Sequence, residues 1–105
     1  MKVQINTDKH IEGHARLEAY FTGEIEKALE RFESKITRIE VHLGDSNGDK
    51  SGSHDKRCLI EARLANMQPV VVTEHSETIE KSFHGAIDKI KKTLTTTFEK
   101  QKEHH

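Results

Sequence analysis

From Ile79 to Phe98 the residues Ile79, Phe83, Ala86, Ile87, Ile90, Leu94 and Phe98 recur mostly at spacings of three and four. That period predicts one amphipathic helix from about Ser76 to Lys100. A stripe that long constrains everything before it, because it needs a broad apolar surface to cover. Ser76 is the expected N-cap, with Glu77 in the first turn, where the helix dipole favours an acid.

The chain supplies such a surface in short alternating stretches. Val3 and Ile5 alternate with Lys2, Gln4 and Asn6, a half-buried strand. Thr37, Ile39, Val41 and Leu43 share one face of Lys35 to Gly44, opposite Arg38, Glu40 and His42. Cys58, Ile60, Ala62 and Leu64 do the same between Arg57 and Ala65, and Val70 to Thr73 is a β-branched fourth strand opened by Pro69. Between the first two strands the period changes to 3.6, and Leu17, Phe21, Ile25, Ala28, Leu29 and Phe32 fall on one face of a helix from about Ile11 to Glu33. Thr7 or Asp8 is its expected cap, and Tyr20 sits at the edge of its apolar stripe.

The order is therefore β-α-β-β-β-α. A strand, a helix and a strand imply a right-handed crossover and a parallel pair, and the later strands pair as hairpins. The expected fold class is α+β, a two-layer domain with a four-stranded mixed sheet and both helices on one face. The other sheet face, with Arg38, Glu40, His42, Leu59, Glu61 and Arg63, is polar enough to stand in solvent. Residues 1–102 are read as a single domain and 103–105 as a polar tail, His104 and His105 being native or the remnant of a purification tag.

With 105 residues there is room for one small core. No apolar run reaches the roughly 20 residues of a membrane span, and the N-terminus lacks the apolar core of a signal peptide. Cys58 is the sole cysteine, so an internal disulfide is excluded and a reducing, cytoplasmic setting is expected. The net charge of −1 does not mark a strongly basic nucleic-acid binder, and with one Tyr, four Phe and no Trp the chain has few rings on which bases could stack. The charge is nonetheless polarised. Residues 12–35 carry four basic and six acidic side chains, whereas residues 89–102 carry five Lys and one Glu. On the second helix Lys81 and Lys92 point away from the core, with Lys89 nearby, and on the first helix Arg16, Lys27 and Arg31 lie along one side. Two such rows side by side would rim a groove attractive to a phosphate backbone. The plainer account is a solvated helix face laced with i,i+4 pairs such as Glu77–Lys81 and Asp88–Lys92.

Other constellations are weaker. Asp45-Ser46-Asn47-Gly48-Asp49 places oxygens like the start of a calcium loop, but Lys50 stands where the turn needs Gly and Lys56 where a bidentate Glu belongs, so a polar hairpin loop is expected. His54 with Cys58, and His10 with His14, are too few ligands for zinc, and Cys58 reads as a small core residue. Glu61 with His42 would be an acid–base couple on the open sheet face, with no sequence signal for an enclosing pocket. No metal or cofactor is expected.

The start Met1-Lys2-Val3-Gln4-Ile5-Asn6, the helix ending Ala28-Leu29-Glu30-Arg31-Phe32, the stretch Asp55 to Glu61 followed by Pro69 to Thr73, and the run Phe83 to Leu94 together resemble the ribosome hibernation-promoting factor and ribosome-associated inhibitor family, over nearly the whole chain. The resemblance implies a short, single-domain, non-enzymatic factor. Such a factor binds ribosomal RNA of the small ribosomal subunit where messenger and transfer RNA sit, and stops translation under stress. By position, Lys89 and Lys92 match basic residues of the family's second helix and Lys27 one of its first. Glu18, Glu24 and Thr96 stand where relatives often carry a base. The expected RNA contacts are thus Lys89, Lys92 and Lys27, with Lys81, Lys91, Arg16 and Arg31 behind them. The alternatives are a protein-interaction module of the same fold, using the acidic first helix or the open sheet face, and, last, a small enzyme.

Overall fold

The computed structural model describes residues 1–8, 14–45 and 55–103. The expected alternating segments are strands: β1 (Lys2–Thr7), β2 (Ile36–Asp45), β3 (Lys56–Leu64) and β4 (Val70–Ser76). They form one sheet in the order β1-β2-β3-β4. The β1–β2 pair is parallel, with Val3 opposite Ile39 and Ile5 opposite Val41. The other two pairs are antiparallel. Helices α1 (His14–Ala28) and α2 (Ile79–Glu103) complete the α+β arrangement. Helix α1 packs on β1, while α2 covers β3 and β4.

The two helices run parallel. Tyr20 meets His84 and Arg31 meets Thr95, each pair 64 residues apart in sequence, so the helices keep step along their length. Phe21 stacks on Phe83 with ring centroids 4.0 Å apart, and Phe32 lies 5.4 Å from Phe98. With Ile25, Leu29, Ile39, Val41, Cys58, Ile60, Ala62, Ile90 and Leu94, all fully buried, they make one core between the layers. At 25 residues α2 is about 37 Å long. The outline is elongated, 51 × 25 × 19 Å.

Three local expectations are corrected. The first helix does not continue to Glu33. It closes at Ala28, and Glu30–Lys35 follow as a 3-10 helix, with Phe32 N–H donating to the Leu29 carbonyl at 2.9 Å. The tighter three-residue repeat sets Phe32 on the same side as Leu29, inside the core. Thr37 is exposed rather than inward, because a bulge between Ile36 and Arg38 shifts the register. Ile36 takes the core position instead, and the Thr37 hydroxyl donates to the Arg63 carbonyl at 3.1 Å. Ser76 ends β4, and the cap of α2 is Thr78, whose Oγ1 accepts the Lys81 N–H at 3.0 Å. The Asp8 carboxylate accepts the Asp45 N–H at 3.0 Å and ties β1 to the end of β2.

Asn66 turns the chain between β3 and β4 with φ of 61°, a left-handed conformation that Asn tolerates better than most residues. The β2–β3 hairpin is clamped at its base, where Lys56 Nζ lies 3.3 Å from Asp45 and 3.0 Å from Asp55. The rest of the calcium-like stretch, with His54, His10 and the expected first turn of the first helix that Thr7 or Asp8 would cap, lies outside the described residues, as do His104 and His105. Helix α2 extends through Glu103, one residue into the segment read as tail. Among the described residues no helix is long and apolar enough to cross a membrane.

Candidate nucleic-acid interface

Because α1 and α2 are parallel and in step, the flank of α2 that faces α1 is a simple stripe: His84, Asp88, Lys91 and Thr95, at steps of four, three and four. The first helix and its 3-10 extension oppose it with Tyr20, Glu24, Lys27 and Arg31 at the same steps. The apolar periodicity of each helix fixes which flank faces the other, so the basic residues are positioned by the core.

Arg31, Lys91, Lys92, Thr95 and Thr96 come together around one open groove between the 3-10 helix and α2. Arg31 is held in place. Its Cζ lies 4.5 Å over the Phe32 ring, and its Nη2 donates to Thr95 Oγ1 at 2.5 Å. Thr95 in turn donates to the Lys91 carbonyl at 2.8 Å. A guanidinium carries five N–H donors, and among the described residues Thr95 takes one. The remaining donors, with the ammonium groups of Lys91 and Lys92, suit a phosphate oxygen. Lys92 also borders a second hollow with Thr93, Thr96, Thr97 and Lys100, continuing the cationic surface toward the C-terminal end of α2.

The other expected contacts sit elsewhere. Lys89 turns to the opposite flank of α2. Its Nζ is 3.1 Å from the Glu74 carboxylate and donates to the Thr73 carbonyl at 2.8 Å, fastening α2 to the edge strand β4. Gly85, one turn before Lys89, makes room for that carboxylate: a Cβ there would lie 2.5 Å from Glu74 Oε2. Lys27 is 79% exposed and pairs with Glu24 at 3.5 Å. It borders a hollow with Met1, Gly23, Glu26, Glu30 and Glu33, an acidic setting. Lys81 lies 4.0 Å from Glu77, the i,i+4 pair read from the sequence. Arg16 is exposed near the start of α1. Sequence reasoning missed the Arg31–Thr95 bridge and the Glu74–Lys89 fastening. The only sequence sign of the latter is a glycine one turn ahead of a lysine in an otherwise strong helix.

The open sheet face is knit together by its own charges. Arg38 donates to Gln4 Oε1 and, at 3.1 Å, to Glu40. Glu40 also lies 3.4 Å from Arg63 and 3.7 Å from His42. Glu61 goes to Arg63 at 3.4 Å, so the acid beside His42 is Glu40 and not Glu61. Cys58 occupies the core side of β3 with no exposure, and burial pushes its thiol up to about 12.

Comparison with known proteins agrees with this architecture. Two solved structures share the fold, each with a TM-score of 0.69: the N-terminal domain of Thermus thermophilus Protein Y, 15% identical, and a ribosomal subunit interface protein from Coxiella burnetii, 16% identical. Each alignment covers 92% of this chain, and 99% and 97% of the respective relative. No curated protein matches the sequence significantly. The family described as Sigma 54 modulation protein / S30EA ribosomal protein matches residues 4–102. That match spans both helices and all four strands but for the first two residues of β1 and the last of α2, and the chain belongs to this family.

Proposed function

We propose that this chain binds the small ribosomal subunit through ribosomal RNA near the decoding region and blocks translation by occupying that space. The observation that carries the reading is the Arg31–Lys91–Lys92 groove, set on parallel helices in a chain whose family is described as ribosomal. The role is steric, and affinity comes from phosphate contacts whose strength falls as salt rises. The contacts are weighted by geometry: Arg31, Lys91 and Lys92 form the centre, and Lys81 and Arg16 lie outward on exposed helix surface. Lys27 and Lys89 are engaged by Glu24 and Glu74 and contribute less.

Sedimentation of the protein with small subunits and with intact ribosomes, at low and moderate salt, tests this. Comigration that falls with salt, and is lost in the Lys91→Glu/Lys92→Glu double variant, is the expected result. Protein that stays at the top of the gradient at both salts refutes it.

A further inference from the structure

One exposed aromatic residue remains unexplained by the core. Tyr20 is 44% exposed, although it lies on the α2-facing flank of α1. Its hydroxyl is 3.2 Å from His84 Nε2, and the two rings meet edge to face with centroids 6.3 Å apart. Phe21 and Phe83, stacked in the core below, carry these two rings as their chain neighbours, and Phe83 also packs edge-on against His84 at 5.4 Å. The Tyr20 ring is thus fixed at its foot and at its hydroxyl, while almost half its surface faces solvent. An aromatic ring whose rotamer is already fixed loses little entropy on accepting a ligand.

Tyr20–His84 is one contact between the two elements, and Arg31–Thr95 is another farther along the same seam. The two places are 11 residues apart on each element, about 16 Å at the rise of a helix. Along the two stripes the acids Glu24 and Asp88 come next to Tyr20 and His84, and Lys27, which pairs with Glu24, and Lys91 come next to Arg31 and Thr95. The seam therefore has a polarity: cationic toward Arg31, Lys91 and Lys92, aromatic and bordered by acids at Tyr20 and His84. An RNA strand meets both demands, with phosphates at one end and an uncharged base at the other. Unpaired bases are commonly read by stacking on Tyr or His.

We propose that the Tyr20–His84 pair is a stacking site for one unpaired RNA base, on the same strand whose phosphates lie at Arg31, Lys91 and Lys92. This inference rests on the RNA-binding reading and deepens it, naming single-stranded rather than duplex RNA as the feature engaged at this end.

The chain offers its own probe, since Tyr20 is the sole tyrosine and there is no tryptophan. Titration with a short oligoadenylate at low salt should quench the tyrosine emission, whereas inorganic polyphosphate of matched charge should compete for binding without quenching. Tyr20→Phe should keep the oligoadenylate affinity because the ring remains, and Tyr20→Ala should weaken it about fivefold or more. Helical circular dichroism of both variants checks that they fold. Oligoadenylate that leaves the emission unchanged at saturating concentration, or a Tyr20→Ala variant with unaltered affinity, overturns the stacking site. If small subunits still retain the wild-type chain in that case, the groove reading stands alone; if they do not, it falls with it.

Discussion

Gly85 offers the sharpest test of how α2 is seated. A Cβ at this position would lie 2.5 Å from Glu74 Oε2, 2.7 Å from its Cγ and 3.0 Å from its Cδ. Gly85→Ala therefore requires the Glu74 side chain to swing away and to leave Lys89, now 3.1 Å distant. That side chain is 31% exposed and Lys89 is 50% exposed, so the lost pair is worth about 0.2–1 kcal/mol. Against this, replacing a mid-helix Gly by Ala contributes about 1 kcal/mol. The two effects partly offset each other, and Gly85→Ala alone should stabilise by between about 0 and 0.8 kcal/mol. Once Glu74→Ala has removed both the clash and the pair, the same glycine substitution should show its full gain of about 1 kcal/mol. A double-mutant cycle in urea reads this difference directly as a coupling energy. An equal gain in both backgrounds would show that the carboxylate does not occupy the notch, and the fastening of α2 to β4 by Glu74 would have to be abandoned.

Further outcomes follow from the same geometry. Phe21→Ala, which removes a fully buried ring stacked 4.0 Å from Phe83, should lower stability by about 3–5 kcal/mol in thermal or urea unfolding. Charge reversal at Lys91 and Lys92 should reduce retention on small subunits and flatten its salt dependence, whereas Lys89→Glu should do so less and should loosen α2 from β4 in hydrogen exchange. The Cys58 thiol keeps its proton in the folded chain up to about 12, against an ordinary value of 9.0. Stability from this group is complete below pH 9 and is lost as pH rises toward about 12, by about 1.4 kcal/mol per pH unit. Cys58→Ala should remove that part of the alkaline slope in unfolding measured from pH 8 to 11.

The element order was legible because every element carries its period on the surface it buries. Ile39, Val41 and Leu43 on β2, and Cys58, Ile60 and Ala62 on β3, alternate as written and are buried as written. Thr37 broke the pattern because a bulge is a property of two paired strands, and no single-strand alternation can show it. The end of α1 was misplaced for a similar reason. Leu29 and Phe32 fit a 3.6-residue face and a 3-10 turn almost equally well, and the contact with Phe98 on a distant element decides between them. At the candidate site, sequence listed the basic residues but could not group them. Lys89, Lys91 and Lys92 are near neighbours in the chain, yet the helix turns Lys89 toward Glu74 on β4 while Lys91 and Lys92 meet Arg31.

The basic end of α2 has a rival explanation in helix electrostatics, and the structure separates the two. Lysines near a helix C-terminus are favoured by the dipole, an effect that fades within the last turn. Helix α2 ends at Glu103, so this accounts for Lys100 and Lys102. It does not reach Lys91 and Lys92, about three turns from the end. Nor, among the described residues, does either form an ion pair with an acid of the first helix. What they share is the groove with Arg31, a residue from another element whose guanidinium is already oriented by Phe32 and Thr95. Three cations facing one open groove repel one another in the free protein. A bound polyanion would relieve that repulsion, so the proposed RNA contact rests on this local arrangement and not on the net charge of −1.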